Sequence, residues 1–263
     1  MIVDGKSIAR DILESVKMRL QGRSLVVRVI VVAPTAVTES YLKIKERAAQ
    51  QAGMTLQVVR MENDTTTEEV IQKVELPGAD AIVVQLPLPA HIDSKQVFDA
   101  IPFSADADLL SDMALMRHEQ DGILPPVAEA VREILERHDV DVRDKKAVVI
   151  GEGKLVGRPV AILLYHMGAQ VTTLNIDTWN PTLLKDADVV VSGVGKAGLI
   201  TKDMLKEGVV LIDAGASESN GEVVGDAGKE CAEVASLFTP VPGGVGPVAV
   251  ACLFKNVEAL NRE

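Results

Sequence analysis

The sequence predicts an α/β protein of two domains, each a parallel sheet flanked by helices. Short β-branched runs alternate with segments of helical periodicity, an order typical of parallel sheets covered by helices. This alternation occurs twice along the 263 residues, and a Pro- and Asp-containing connection separates the two occurrences. A glycine-rich turn between a strand and a helix opens the second occurrence, which is typical of a Rossmann-like domain.

The first occurrence supplies three strands and two helices. Its helical segment after the first strand stops at Gly53, a residue that commonly ends helices. The predicted elements are strand 25–32, helix 35–51, strand 56–59, helix 65–74 and strand 81–84.

The second occurrence is entered through a connection at 105–126 and a bridging helix at 127–138. Prolines and glycines make 239–247 a kinked loop, which a final helix at 248–260 follows. The predicted elements between them are strand 147–150, helix 156–167, strand 171–176, strand 187–191, helix 201–205 and strand 209–212.

Composition excludes several classes of protein. The chain carries 27 Lys and Arg against 38 Asp and Glu, a net charge of −11, which argues against a nucleic-acid partner. No apolar stretch is long enough to span a membrane and the first residues do not read as a secretion signal, so a cytoplasmic location is expected. Cys231 and Cys252 lie far apart and the histidines lack ligand spacing, which favours two reduced, buried thiols and no metal site.

The glycine turn is the strongest local candidate site. Gly151, Gly153 and Gly157 lie between a buried strand and a helix, where glycine lets backbone N–H groups approach a phosphate at the helix N-terminus. The spacing is GxGxxxG, whereas dinucleotide-binding turns usually read GxGxxG. A purely structural turn that packs helix on strand is the alternative.

An acid follows the turn at a characteristic distance. Asp177 ends the next predicted strand, twenty residues after Gly157, where dinucleotide-binding folds place an acid on the adenosine ribose. Asp177 and Glu152 would both repel a 2′-phosphate, so NAD is favoured over NADP. The alternative is that Asp177 caps the following turn.

Three further groups could carry chemistry in the first half. Tyr41 and Lys45 stand one turn apart on a helix, so a phenol and an ammonium can face one substrate. Gln85 lies at the carboxyl end of a strand, where α/β sheets collect ligands. Asp106 and Asp108 follow in the connection. The alternatives are a solvated helix face, an ordinary strand exit and a solvated loop.

The order of these motifs resembles one family. YxxxK at 41–45, VQLPLP at 84–89, DxD at 106–108, VIG and VGRP at 149–159 and TPVPGGVGP at 239–247 occur in that order. The series is similar to the bifunctional methylenetetrahydrofolate dehydrogenase/methenyltetrahydrofolate cyclohydrolase family over nearly the whole chain. The most specific segment is PVPGGVGP, and Ile212-Asp213-Ala214-Gly215 also fits the family.

The resemblance implies a fold and an activity. It implies a folate domain at 1–122, completed by a C-terminal helix at 247–263, and a Rossmann-like NAD(P)-binding domain at 123–246, with a folate cleft between the two domains. The family oxidises 5,10-methylenetetrahydrofolate with a nicotinamide cofactor and hydrolyses the methenyl product to 10-formyltetrahydrofolate, in one-carbon metabolism. A homodimer is also implied.

The resemblance assigns roles to individual residues as well. Lys45 would transfer protons in the hydrolytic step, Tyr41 would stack on the folate, Gln85 would orient Lys45, and Asp108 would hold the pterin edge, whose adjacent N–H donors suit a carboxylate. The expected cofactor-binding residues are Gly151, Glu152, Gly153, Val156, Gly157, Asp177, Gly193, Gly243, Gly244 and Gly246.

Departures from the family pattern leave alternatives open. KDVDG of the family reads ADADL at 105–109, GRS reads GEG at 151–153, and the HSRT-like stretch reads NIDT at 175–178. The changes at the turn agree with a switch from NADP, the family default, to NAD. A monofunctional NAD-dependent dehydrogenase and a non-catalytic folate- or nucleotide-binding homologue are the alternatives, and the presence of Tyr41, Lys45, Gln85 and Asp108 favours the enzyme. PVPGGVGP disfavours a shikimate-type dehydrogenase.

Overall fold

The computed structural model describes residues 1–120, 122–219 and 222–262, in which helices and parallel strands alternate. The predicted α/β class is confirmed. The helices are α1 (Gly5–Leu20), α2 (Ala36–Ala52), α3 (Thr67–Val74), α4 (Ser94–Asp99), α5 (Asp112–Gln120), α6 (Pro126–Arg137), α7 (Gly157–His166) and α8 (Val245–Leu260). The strands are β1 (Val26–Val32), β2 (Thr55–Met61), β3 (Ala81–Val84), β4 (Lys146–Ile150), β5 (Gln170–Leu174), β6 (Val189–Ser192), β7 (Val210–Asp213), β8 (Ser217–Ser219), β9 (Glu222–Val224) and β10 (Leu237–Phe238).

The chain forms two compact units, each built on its own parallel sheet. Residues 10–126 and the end of the chain from Val250 form one, here called the three-stranded unit after its sheet. Residues 1–9 and 127–249 form the other, here called the five-stranded unit. The division falls within α1 and within α8.

The sheet of the three-stranded unit has the order β2-β1-β3, with every pairing parallel. The central strand, β1, is a β-branched run that is buried along most of its length, as expected where helices cover both faces. Thr35 begins α2 by accepting the backbone N–H of Thr38 on its side chain, and Gly53 ends the helix in a left-handed conformation. These caps fix the length of the helix that carries Lys45.

The sheet of the five-stranded unit has the order β10-β7-β6-β4-β5 and is parallel throughout. Ile150 of β4 pairs with Leu174 of β5 and with Ser192 of β6, and Ser192 pairs with Asp213 of β7. These residues end their strands, so the loops that follow all leave one edge of the sheet. Ligands of parallel α/β sheets bind at that carboxyl edge.

Several predicted elements differ from the observed ones. Residues 202–204 form a short 3₁₀ turn where a helix was expected at 201–205, and the connection at 105–126 contains α5. The last helix begins at Val245 and not at 248, because Pro247 falls in its first turn, where the missing N–H costs no helical hydrogen bond. The whole of α1 was not predicted.

Two expectations from composition can be compared with the described residues. Cys231 and Cys252 are both buried, as predicted, and the structure joins neither in a disulfide bond. No helix in the described ranges combines the length and the apolar character that crossing a membrane requires.

Candidate active site

Lys45 and Gln85 form the centre of a polar cluster in the three-stranded unit. Lys45 lies on α2, and Gln85 directly follows β3 at the carboxyl edge of the sheet. The Lys45 Nζ donates a hydrogen bond to Gln85 Oε1 at 3.0 Å. Gln85 Nε2 donates in turn to the carbonyl oxygen of Leu86 at 2.8 Å, which fixes the amide with its oxygen toward the lysine. The structure thus brings together two residues that lie forty positions apart in the sequence.

Asp108 completes this cluster electrostatically. Burial lowers the pKa of the Lys45 ammonium, and the nearby Asp108 carboxylate opposes that shift. Burial also raises the pKa of Asp108, against the attraction of Lys45. A partly buried lysine with a depressed pKa can give up and regain a proton closer to neutrality than an exposed lysine can. We infer that the cluster can perform proton transfer.

A tight turn holds Asp108 in place. Asp106 is buried, and its carboxylate accepts the backbone N–H groups of Leu110 at 3.0 Å and Ser111 at 2.8 Å. Leu109 is buried in the left-handed region at φ 54°, a conformation that costs a non-glycine residue energy and persists only where neighbours enforce it. Asp106 is therefore a structural residue that anchors the turn, whereas Asp108 is partly exposed.

Tyr41 lies on α2 one turn before Lys45 and is partly exposed. The helical spacing places the two residues on one face, as the sequence indicates. Lys45 is linked to Gln85 by a hydrogen bond and to Asp108 by charge. The predicted role of Tyr41 depends on its helical position alone.

The glycine turn of the five-stranded unit joins β4 to α7. Gly151 follows β4 in a left-handed conformation at φ 101°, and the buried Gly157 begins the helix. A Cβ on Gly157 would overlap the carbonyl oxygen of Gly151. Val156 is the residue before α7, and its side chain makes no capping hydrogen bond to the first N–H groups of the helix. The positive end of α7 is therefore not capped by this residue. This backbone fits the diphosphate of a dinucleotide.

The Gly157→Ala variant is expected to bind NAD at least about 10-fold more weakly, since α7 or the turn must shift to relieve the overlap with Gly151. Gly153→Ala is the matched comparison: a Cβ on Gly153 meets no protein atom within 4 Å, so any loss of affinity there measures crowding of the bound diphosphate and not a shift of the turn. Calorimetric titration with NAD measures both variants. Equal affinity for NAD in the two variants would contradict a requirement for close packing at Gly157.

Two acids lie near the carboxyl end of β5: Glu152 belongs to the glycine turn and reaches this end with its carboxylate, and Asp177 follows β5 in the chain. Glu152 accepts hydrogen bonds from Thr173 Oγ1 at 3.1 Å and from Asn175 Nδ2 at 2.8 Å. Asp177 was predicted to end a strand at 171–176, but β5 stops at Leu174. The reason is Asn175, whose side-chain oxygen accepts the N–H groups of Asp177 and Thr178 and turns the chain. Asn175 therefore makes the turn, and the Asp177 side chain is exposed.

The remaining predicted cofactor residues lie in two loops of the same unit. Gly193 follows β6 and donates its N–H to Ile150 O at 3.0 Å, and a Cβ there would overlap the side chain of Val156. The loop at 193–198 therefore packs against the glycine turn.

The loop at 239–247 follows β10. In it, Gly243 adopts φ 109° and its carbonyl oxygen accepts the N–H of Gly5 at 3.0 Å. Gly244 is buried, with its N–H donated to Pro240 O, whereas Gly246 lies exposed in the first turn of α8. Gly243 and Gly244 thus stabilise the conformation of the loop through backbone hydrogen bonds, whereas Gly246 is exposed to solvent.

Two buried acids of the five-stranded unit were not among the predicted site residues. Asp213 ends β7, and its carboxylate accepts the N–H groups of Gly215 at 3.0 Å and Ala227 at 2.8 Å. Asp226 accepts a hydrogen bond from the Ser192 hydroxyl at 2.6 Å. An acid at the end of an apolar strand, as in Ile212-Asp213, is the signal that could have identified the first of them.

The stability of the chain should depend on the protonation of Asp213. Burial raises the pKa of this carboxyl to about 6. Because the folded pKa exceeds the unfolded value, its contribution is largest below about pH 4, and on the order of 2–3 kcal/mol is lost as the pH rises through about 6. Asp213→Asn cannot titrate, so the difference between wild type and variant in urea-unfolding free energy should change over this range. Parallel stability curves would contradict the assignment.

The chain was compared with protein families and with solved structures. Residues 3–108 match the tetrahydrofolate dehydrogenase/cyclohydrolase catalytic domain, and residues 125–263 match the NAD(P)-binding domain of the same name. A bifunctional protein FolD from Methanospirillum hungatei is 36% identical, with 100% of this chain and 98% of the relative covered.

Two solved structures are similar over almost their whole length. The bifunctional enzyme FolD, a methylenetetrahydrofolate dehydrogenase/cyclohydrolase from Campylobacter jejuni, superposes with a TM-score of 0.92 at 31% identity, covering 99% of this chain and 98% of that one. The Trypanosoma brucei dehydrogenase-cyclohydrolase, solved with NADP and an inhibitor, gives 0.90 at 31% identity, with 99% and 96% covered.

Proposed function

Because the chain belongs to the tetrahydrofolate dehydrogenase/cyclohydrolase family, we propose that it oxidises 5,10-methylenetetrahydrofolate with NAD and hydrolyses the methenyl product to 10-formyltetrahydrofolate. The observation that carries this proposal is the hydrogen bond between Lys45 and Gln85, with the Asp108 charge beside it. Lys45 and Gln85 lie within residues 3–108, the range that matches the catalytic domain, and Asp108 is the last residue of that range.

Lys45 is the proton-transfer group of the hydrolytic step. Neutral Lys45 takes a proton from the water that attacks the methenyl carbon, and its ammonium supplies a proton to N5 as the bond between that carbon and N5 breaks. One proton is released to solvent in the complete reaction. The lowered pKa of Lys45 suits both directions of transfer, and the hydrogen bond from its Nζ to Gln85 keeps the amine in position.

Asp108 and Tyr41 bind the folate. The Asp108 carboxylate accepts hydrogen bonds from the adjacent ring N–H and amino group of the pterin, and Tyr41 stacks on the substrate. The turn held by Asp106 sets the position of the carboxylate. Leu109 occupies the position that is glycine in the family pattern. Because this turn sets the position of Asp108, a chain that had lost the hydrolytic activity would have lost it through a change in this turn.

The five-stranded unit holds the cofactor. When bound, NAD supplies the hydride acceptor for the oxidation. Gly151, Gly153 and Gly157 let the backbone approach the diphosphate, and α7 directs its positive end toward it. Glu152, held by Thr173 and Asn175, favours ribose hydroxyls over a 2′-phosphate and so favours NAD over NADP.

The proposal is tested by following methenyl absorbance with 5,10-methylenetetrahydrofolate and either NAD or NADP. We expect the absorbance to appear faster with NAD and then to decay faster than in a protein-free control. Methenyl that accumulates without accelerated decay would indicate a monofunctional dehydrogenase. Folate binding without turnover under either cofactor would indicate a non-catalytic homologue.

We also propose that the chain is cytoplasmic and acts as a homodimer, the oligomeric state that its family resemblance implies. Sedimentation equilibrium should then give twice the chain mass of 28.1 kDa. A monomer mass at the concentration of the assay would contradict this proposal.

A further inference from the structure

The carboxylates of Asp213 and Asp226 are buried together, with relative exposures of 1% and 0%. The hydrogen bonds that the structure gives them come from backbone N–H groups and from one hydroxyl. Burial raises the pKa of Asp213, and the charge of Asp226 adds to that rise. Two buried acids supported in this way are costly to fold, which calls for a role beyond filling space.

Asp226 ties the end of β6 to the loop that follows it. Its Oδ2 accepts the Ser192 hydroxyl at 2.6 Å and the Val194 N–H at 2.8 Å, and its Oδ1 accepts the Lys196 N–H at 2.6 Å. One carboxylate therefore uses both oxygens to set the path of residues 193–198, the loop that packs against the glycine turn.

Asp213 connects two more segments at the same sheet edge. Its carboxylate binds the N–H groups of Gly215 and Ala227, and its own N–H donates to Thr239 Oγ1 at 2.7 Å. Thr239 begins the loop that contains Gly243 and Gly244. The carboxylates of the two acids thus hold the exits of β6 and β7 to residues 226 and 227, whereas the backbone of Asp213 makes the link to Thr239.

The local sequence leaves room for these two carboxylates. A Cβ on Gly215 would overlap the Asp226 carboxylate, and a Cβ on Gly225 would overlap Asp213 Oδ2. Gly215, which lies two residues after Asp213, therefore makes space for Asp226. Gly225, which directly precedes Asp226, makes space for Asp213. Both acids require this paired arrangement.

We propose that Asp213 and Asp226 are positioning residues that hold loop 193–198 in the arrangement that binds NAD. Asp226 does so through its own hydrogen bonds to the loop, and Asp213 does so by fixing Gly215 and Ala227 beside Asp226. This inference rests on the function proposed above. The carboxyl edge of the sheet is where such ligands bind, and the loop that Asp226 fixes contains the predicted cofactor residue Gly193. The acids act through the loop and are themselves covered.

The negative charge is essential to this role. An ionised carboxylate accepts hydrogen bonds on both oxygens, whereas an asparagine accepts on one and presents N–H donors on the other side. In Asp226→Asn, an NH₂ group replaces one of the two oxygens and cannot accept a hydrogen bond. Depending on how the amide is oriented, the lost acceptor is that of the Lys196 N–H or that shared by the Ser192 hydroxyl and the Val194 N–H. Residues 193–198 then lose an anchor while the side-chain volume stays the same.

The test measures NAD affinity calorimetrically in the full chain, and methenyl hydrolysis in the absence of NAD. Asp226→Asn should raise the Kd for NAD about 10-fold or more, because a hydrogen bond to a charged group is lost, and should leave hydrolysis within about 2-fold of wild type. Asp188→Asn is the matched control. It makes the same substitution just before β6, at the opposite sheet edge, where Asp188 binds the Lys146 N–H and Lys206 Nζ.

Hydrogen exchange provides a readout that does not depend on turnover. The N–H groups of Val194 and Lys196 should exchange faster in Asp226→Asn than in wild type and in Asp188→Asn. If Asp226→Asn does not fold, Asp213→Asn takes its place, with Gly215 and Ala227 as the exchange probes.

Each outcome decides the inference. Wild-type NAD affinity in the folded variant overturns it, as does a parallel loss of NAD binding and hydrolysis, which marks a general structural defect. A wild-type chain that binds NAD but does not oxidise the folate overturns the proposed function and leaves the inference standing. A wild-type chain that does not bind NAD overturns both.

Discussion

The Lys45→Met variant is expected to hydrolyse 5,10-methenyltetrahydrofolate about 10²- to 10⁴-fold more slowly than the wild-type chain. Methionine keeps an unbranched apolar side chain along α2 but removes the amine that exchanges the proton. It also leaves Gln85 Oε1 without the Lys45 Nζ donor at 3.0 Å. Because the proton donor for N5 and the acceptor for water are lost together, the effect should fall on kcat.

Lys43→Met is the matched control for this prediction. Lys43 lies on the same helix, two positions earlier, and is exposed. Stopped-flow decay of methenyl absorbance gives the rate, and calorimetry checks that NAD affinity is unchanged in both variants. A normal rate in Lys45→Met would refute the assignment of the proton-transfer group, and an equal loss in Lys43→Met would point to a general effect of charge on the helix.

The site in the three-stranded unit shows how far sequence reasoning reaches. Helical periodicity places Tyr41 and Lys45 on one face, and the end of a buried strand places Gln85 at a ligand-binding edge. The hydrogen bond between Lys45 and Gln85 joins residues forty positions apart, which periodicity does not encode. Nor does local pattern show that Leu109 adopts φ 54°, because that conformation is imposed by the packing and hydrogen bonds of the turn.

In the five-stranded unit, local pattern predicts β4 to β7 and the glycine turn, but it misses the short strands β8, β9 and β10. It fails where a side chain bonds to backbone, whether that backbone is near or far in the sequence. Asn175 ends β5 early, and Asp213 and Asp226 meet through hydrogen bonds to three loops. Buried acids are uncommon enough that sequence alone gives no reason to place two of them together. The structure was needed to reveal them.

The second large effect is expected at the cofactor. In the double variant Glu152→Arg/Asp177→Arg, the ratio of kcat/KM for NADP to that for NAD should rise about 10²- to 10³-fold over the wild-type ratio. The two acids stand at the carboxyl end of β5, where the adenosine ribose binds in such folds. Two arginines there replace repulsion of a 2′-phosphate with attraction, and their guanidinium groups can bind phosphate oxygens in pairs.

Glu152 should contribute more than Asp177 to the wild-type preference. Thr173 and Asn175 hold the Glu152 carboxylate at 3.1 Å and 2.8 Å, whereas Asp177 projects from an exposed turn. A fixed charge repels a phosphate more strongly than a charge that can turn away in solvent. The single variant Glu152→Arg is therefore expected to recover more than half of the change in free energy that the double variant gives.

A double charge reversal elsewhere in the same unit separates local recognition from net charge. Asp203 and Glu207 are exposed and lie just before β7, at the amino edge of the sheet. Asp203→Arg/Glu207→Arg alters the total charge by the same amount, and it should leave the ratio of NADP to NAD within about 3-fold of wild type. A wild-type chain that already prefers NADP, or a control that shifts as much as the test variant, would contradict the assignment of cofactor preference to the carboxylates beside the glycine turn.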